Sequence, residues 1–111
     1  MSNAMRLYMA QRISALLMAP FVIGHLAVMI YAIQGGLSAG EILGRTRGSL
    51  LWALFYGGFV LAVSVHAAIG LRTVAAEWLG LRGAILDASA LAAGLLLLAL
   101  GLQSVYAVTV Q

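Results

Sequence analysis

The chain contains no cysteine and no lysine, a single proline, and three acidic residues. Without cysteine it makes no disulfide, builds no thiolate metal site and ligates no iron–sulfur cluster of its own. Only 8% of its 111 residues are charged, against about 25% in a soluble domain, while 64% are hydrophobic. A surface of ordinary polarity cannot be made from this composition, so the chain reads as an integral membrane protein. Its net charge of +3, carried by six dispersed arginines, is too small and too scattered for a nucleic-acid surface. No acidic residue falls inside a long apolar run, so a proton-coupled transporter would lack its carboxylate. No flavin-binding motif is present either. The length is that of one domain.

What is present is three apolar stretches long enough to cross a bilayer, which needs about 20 residues of helix. They cover about 13–33, 50–76 and 88–110, giving an all-α membrane fold of three transmembrane helices in an up-down-up bundle. Residues 1–4 read as a tag remnant or a frayed start and are set aside, leaving 5–111 as one three-helix domain. Pro20 lies inside the first span, where it frees the carbonyl of Leu16. Between the first two spans, Ser38-Ala39-Gly40-Glu41 has the form of a capping box and predicts a short interfacial helix. The connection between the second and third spans, 79–86, is tight and makes them antiparallel neighbours. Asp87 reads as the N-cap of the third. Gly57-Gly58, Gly94 and Gly101 read as points where helices pack closely. Arg6, Arg12, Arg72 and Arg82 fall on one side and Arg45 and Arg47 on the other, which places the N-terminus in the cytoplasm.

Only two histidines occur, and both lie within apolar helix: His25 in FVIGHLAVMIYA and His66 in FVLAVSVHAAIGLR. A titratable ring in hydrocarbon is costly unless it is used. Neutral imidazole is a good axial ligand for haem iron. It also serves simply by hydrogen bonding a serine or a carbonyl on a neighbouring helix. Gly70, one turn from His66, would leave room for a flat macrocycle. Phe55 and Phe59 share the face of His66, and Met18, Phe21 and Met29 that of His25. Counted from Arg12, His25 lies about 20 Å along its helix; counted from Trp78, His66 lies about 18 Å along its own. These counts predict similar depths, close enough for one iron between the two rings.

The run His66-Ala67-Ala68-Ile69-Gly70-Leu71-Arg72 resembles the H-x-x-x-G-[IL]-R signature in the second span of the cytochrome b membrane-anchor subunits of succinate dehydrogenase and fumarate reductase. The first span opens Gln11-Arg12-Ile13-Ser14-Ala15, which is similar to that family's H-R-x-[ST]-G at Arg12 and Ser14 and departs from it at Gln11 and Ala15. Glu77-Trp78 falls at the offset of an acidic–aromatic pair in the companion anchor, with tryptophan in place of tyrosine.

The resemblance implies a bacterial cytoplasmic-membrane anchor that is not catalytic alone. It would pass electrons from an iron–sulfur subunit to quinone, with a flavoprotein subunit completing the complex, as part of electron transport and the tricarboxylic acid cycle. His66 would ligate haem b, its other axial ligand coming from a second anchor subunit or a copy of this chain. Gly70 and Arg72 would adjoin the haem, Arg72 at a propionate. Arg12, Ser14 and Trp78 would bind quinone. His25 leaves three arrangements open, in this order: one haem at His66 with His25 only hydrogen bonding; two haems, one per histidine, as in longer anchors with first-span ligands; and one iron between His25 and His66. The alternative to all three is a haem-free scaffold or assembly subunit of another membrane complex.

Overall fold

The computed structural model describes residues 2–110, which form four helices: α1 (Asn3–Gly35), α2 (Ala39–Thr46), α3 (Leu50–Trp78) and α4 (Gly83–Thr109). No strand occurs among the described residues. Three helices, α1, α3 and α4, are long and apolar enough to cross a membrane. The first runs ten residues further toward the N-terminus than its predicted span, the second two further at its end, and the third begins five earlier and ends one sooner. Ser2 caps α1, its hydroxyl accepting from Met5 N–H at 3.1 Å, so residues 2–4 run directly into that helix. Pro20 sits inside α1 without ending it.

The hydrophobic effect cannot hold this fold together in water. Among the described residues only Ala62 and Leu86 of the apolar side chains are buried, and most of the large ones, Leu16, Ile23, Leu51 and Leu95 among them, face outward. That is the surface a bilayer or a partner helix would cover.

The helices form a row with α3 in the middle. Val60, Ser64, Ala68 and Arg72, spaced every four residues, meet α4 at Gly101, Gly94 and Asp87. The opposite stripe of α3, with Phe55, Phe59, His66 and Gly70, faces α1. α1 and α4 touch each other little. Close approach depends on small residues. A Cβ on Gly94 would stand 2.9 Å from Ala68 Cβ, one on Gly58 3.0 Å from the Phe21 ring, and one on Gly24 2.9 Å from Phe55. Gly101 is tighter still against Val60. Gly57, expected to pack in the same way, faces open space.

The predicted short helix is α2, where the Ser38 hydroxyl accepts from Glu41 N–H at 3.2 Å. Its end is fastened to α4: Thr46 Oγ1 donates to Val108 O at 2.5 Å and Gly48 N–H to Thr109 O at 2.6 Å. The turn between α3 and α4 is shorter than predicted. Gly80 and Gly83 take positive φ there (69° and 67°), a region open to glycine, so the chain reverses within residues 79–82. This moves the N-cap of α4 to Arg82, which makes no side-chain cap bond. Asp87, predicted as that cap, lies a turn further on and pairs with Arg72 at 3.0 Å.

Candidate functional site

The α1–α3 seam is where the polar groups collect. Its pairs run in opposite directions along the two helices: Gln11 with Gly70, Ser14 with His66, Phe21 with Gly58 and Phe59, and Gly24 with Phe55. Large rings on each helix fit beside glycine on the other, and this fixes the register.

That register corrects the depth expected for the histidines. His66 is level with Ser14, whereas His25 is level with Phe59 and Tyr56. Ser14 and His25 are three turns apart on α1, or roughly 16 Å. One iron cannot reach both rings. The error came from counting depth from Arg12 and Trp78 as though they marked one membrane boundary; α3 runs well past the level of Arg12.

Around His66, Ser14 is buried, with 4% of its surface exposed. Its hydroxyl lies 2.9 Å from the Gln11 carbonyl and 3.3 Å from His66 Nδ1. A serine has one proton to give. If the nearer acceptor, the Gln11 carbonyl, takes that proton, Nδ1 carries its own and donates to the serine oxygen. In either direction the bond occupies Nδ1; in the Nδ1–H tautomer it leaves the Nε2 lone pair free. Metal-ligating histidines are oriented by this kind of hydrogen bond at the second ring nitrogen. The sequence pattern assigned Ser14 to quinone; the structure turns it inward to His66 instead.

The space opposite Gly70 is taken by the Gln11 side chain, whose Nε2 lies 3.6 Å from where a Cβ would be. Gln11 Oε1 is buried there without a partner among the described residues, which makes Gln11 a site residue that the sequence pattern passed over. Its signal was available: a carboxamide one turn before the serine, on the same helix face.

The remaining predicted residues are dispersed. Arg12 is exposed on the far side of α1 from Ser14, its guanidinium 5.5 Å from the Tyr8 ring centre. Trp78 is 80% exposed at the end of α3, more than two turns beyond the level of Arg12. Arg12, Ser14 and Trp78 therefore do not converge within one chain. Arg72, expected at a propionate, already has Asp87, although the pair is partly exposed (33% and 65% for the two side chains).

His25 sits in different surroundings. Phe59 and Tyr56 meet its ring edge-on, at 5.6 and 6.3 Å between centres. It makes no hydrogen bond to another described residue. It opens on a cleft of about 840 Å³, also lined by Tyr31, Arg45, Thr46, Trp52 and Tyr56, and on a smaller one of about 350 Å³ reaching Gly101 and Ser104.

His66 offers one nitrogen of the kind that ligates a haem iron, with Ser14 at the other. A bare ion does not fit here, since no group of three or more His, Cys, Asp or Glu converges among the described residues. Residues 2–108 match the succinate dehydrogenase/fumarate reductase transmembrane subunit family. No curated protein and no solved structure matches the chain.

Proposed function

Because the chain belongs to the succinate dehydrogenase/fumarate reductase transmembrane subunit family, we propose that it is the haem b- and quinone-binding anchor of such a complex, with His66 as an axial ligand. The observation that carries this reading is the Ser14–His66 hydrogen bond, which occupies Nδ1 and leaves Nε2 as the free ring nitrogen. Haem, when bound, supplies a one-electron relay between the iron–sulfur subunit and quinone. The chain's own residues do the positioning. Ser14 fixes the imidazole. Gly70 admits the Gln11 carboxamide, whose unpartnered oxygen can accept a hydrogen bond from a bound group. Arg72 is steadied by Asp87 of α4.

His66 provides one axial nitrogen, and His25 is too distant to provide the other. The second comes from another chain, either a companion anchor or a copy of this one. Arg12 faces outward from α1, so a quinone it binds lies between α1 and a partner subunit, where the guanidinium hydrogen bonds the oxygen that gains negative charge on reduction. The flavoprotein and iron–sulfur subunits dock at the end bearing Arg6, Arg12 and Arg82, which this reading places in the cytoplasm of a bacterial cell.

The test is a reduced-minus-oxidised visible spectrum of the complex purified through this chain. A b-type band that is abolished by His66→Ala is expected. Its absence from a complex that still contains the flavoprotein would remove the haem assignment and leave quinone anchoring. Absence of the flavoprotein as well would point to a haem-free scaffold.

A further inference from the structure

At the end of the molecule opposite the His25 cleft, α1 and α4 stand apart over α3 and leave a crevice of about 450 Å³. It shares no residue with the Ser14–His66 contact. Each of its three walls changes character in the same direction. On α1, Arg6 precedes Leu7. On α3, Arg72 lies about one turn nearer the helix end than Ile69, and on α4 Asp87 lies about one turn nearer the helix start than Leu91. The charged groups therefore ring the mouth at the membrane edge, and the apolar ones line the part that runs toward the middle of the spans. Two positive charges and one negative meet at that mouth. Arg72 Nε donates to Asp87 Oδ1 at 3.0 Å. A guanidinium has more donors, and a carboxylate more acceptor sites, than one such bond uses. Both side chains of the pair stay partly exposed, so the remaining donors and the second carboxylate oxygen can be reached. Arg6 is exposed, and its guanidinium meets no other described residue.

A crevice that is charged at the membrane edge and apolar below it matches the two ends of a phospholipid. Two guanidinium groups suit the phosphate, which they meet with charge-assisted hydrogen bonds. The carboxylate beside them narrows the choice. A purely anionic headgroup would set a second negative charge against Asp87, and a quaternary ammonium has no N–H to give it. A primary ammonium has, and in a phosphodiester headgroup it stands only a short chain away from the phosphate. We propose that this crevice binds a phospholipid whose headgroup joins a phosphodiester to a primary ammonium, as in phosphatidylethanolamine. Arg6 and Arg72 hold the phosphate, Asp87 holds the ammonium, and an acyl chain lies along Leu7, Ile69 and Leu91. Such a site gives a use to the turn of Arg72 toward α4 and away from the His66 seam. It needs neither haem nor quinone, so it can fail, or hold, apart from the function proposed above.

The experiment uses the assembled complex in phosphatidylcholine nanodiscs containing a small fraction of phosphatidylethanolamine with a photoreactive diazirine on one acyl chain; labelled residues are mapped by mass spectrometry. Label is expected around Leu7, Ile69 and Leu91. Unlabelled phosphatidylethanolamine should compete about tenfold better than phosphatidylglycerol or phosphatidylcholine, the margin of one charged hydrogen bond. Arg6→Gln and Arg72→Gln should each weaken labelling about tenfold. Asp87→Asn should instead bring phosphatidylglycerol level with phosphatidylethanolamine while the label stays on the same residues, a change of headgroup preference that a folding defect would not produce. The proposal is overturned by any of four results: no label in the crevice, equal competition by the three lipids in the unsubstituted complex, a phosphatidylethanolamine preference that survives Asp87→Asn, or loss of label in millimolar inorganic phosphate. The last would make the crevice a site for soluble phosphate.

Discussion

The two ends of the α1–α3 seam each hold one histidine, and they are built on opposite terms. At the end nearer the N-terminus, His66 is hydrogen bonded at Nδ1 to a buried serine, which leaves Nε2 as its free nitrogen. At the far end, His25 is held by the edges of aromatic rings and bonded to nothing, beside a large cleft. The difference teaches that a histidine in a membrane helix is to be read from its second nitrogen. One that is anchored there has its ring orientation set by the bond. One left unbonded beside open space has not.

The strongest way to break this comparison is to exchange the fates of the two rings. His66→Ala should abolish haem absorbance in the complex, whereas His25→Ala should leave it within error; equal losses would erase the distinction. At the far end, Gly101→Leu forces a side chain against Val60 and into the smaller cleft. It should cost about 1–3 kcal/mol in reversible detergent unfolding, while Gly57→Ala, at a glycine facing open space, should be neutral or slightly stabilising. At the near end, Ser14→Ala removes the orienting hydrogen bond. It should weaken haem retention by about tenfold or more, measured by haem transfer to an excess of apomyoglobin. Thr46→Val loses the tie between α2 and α4 and should cost about 1 kcal/mol in the same unfolding assay. The smallest effect is expected from Asp87→Asn, below about 1 kcal/mol, because the ion pair with Arg72 is partly exposed.

The three membrane helices were legible because apolar length alone carries them, and α2 because Ser38 and Glu41 stand at the spacing of a cap. The family was legible through the glycine and arginine that follow His66. The level of His25 was not. Depth counted along each helix separately assumes a shared boundary, and only the packing of Phe21 against Gly58 and of Phe55 against Gly24 reveals the offset. The same pairing turns Ser14 toward His66, which no count along one helix can show. Asp87 was misread as a cap because the turn at Gly80 and Gly83 is tighter than the sequence suggested.

The row order of the helices also bears on how the chain is made. α1 leaves the ribosome first, yet its packing partner is α3, and the two meet without help from α4. Until α3 is inserted, Ser14 and Gln11 have no neighbour in the bilayer except lipid. Once it arrives, the His66 seam can close while the last helix is still being synthesised. The tie from Thr46 and Gly48 to the end of α4 forms last. Insertion in this order completes the half that holds the Ser14–His66 bond before the half that holds the cleft.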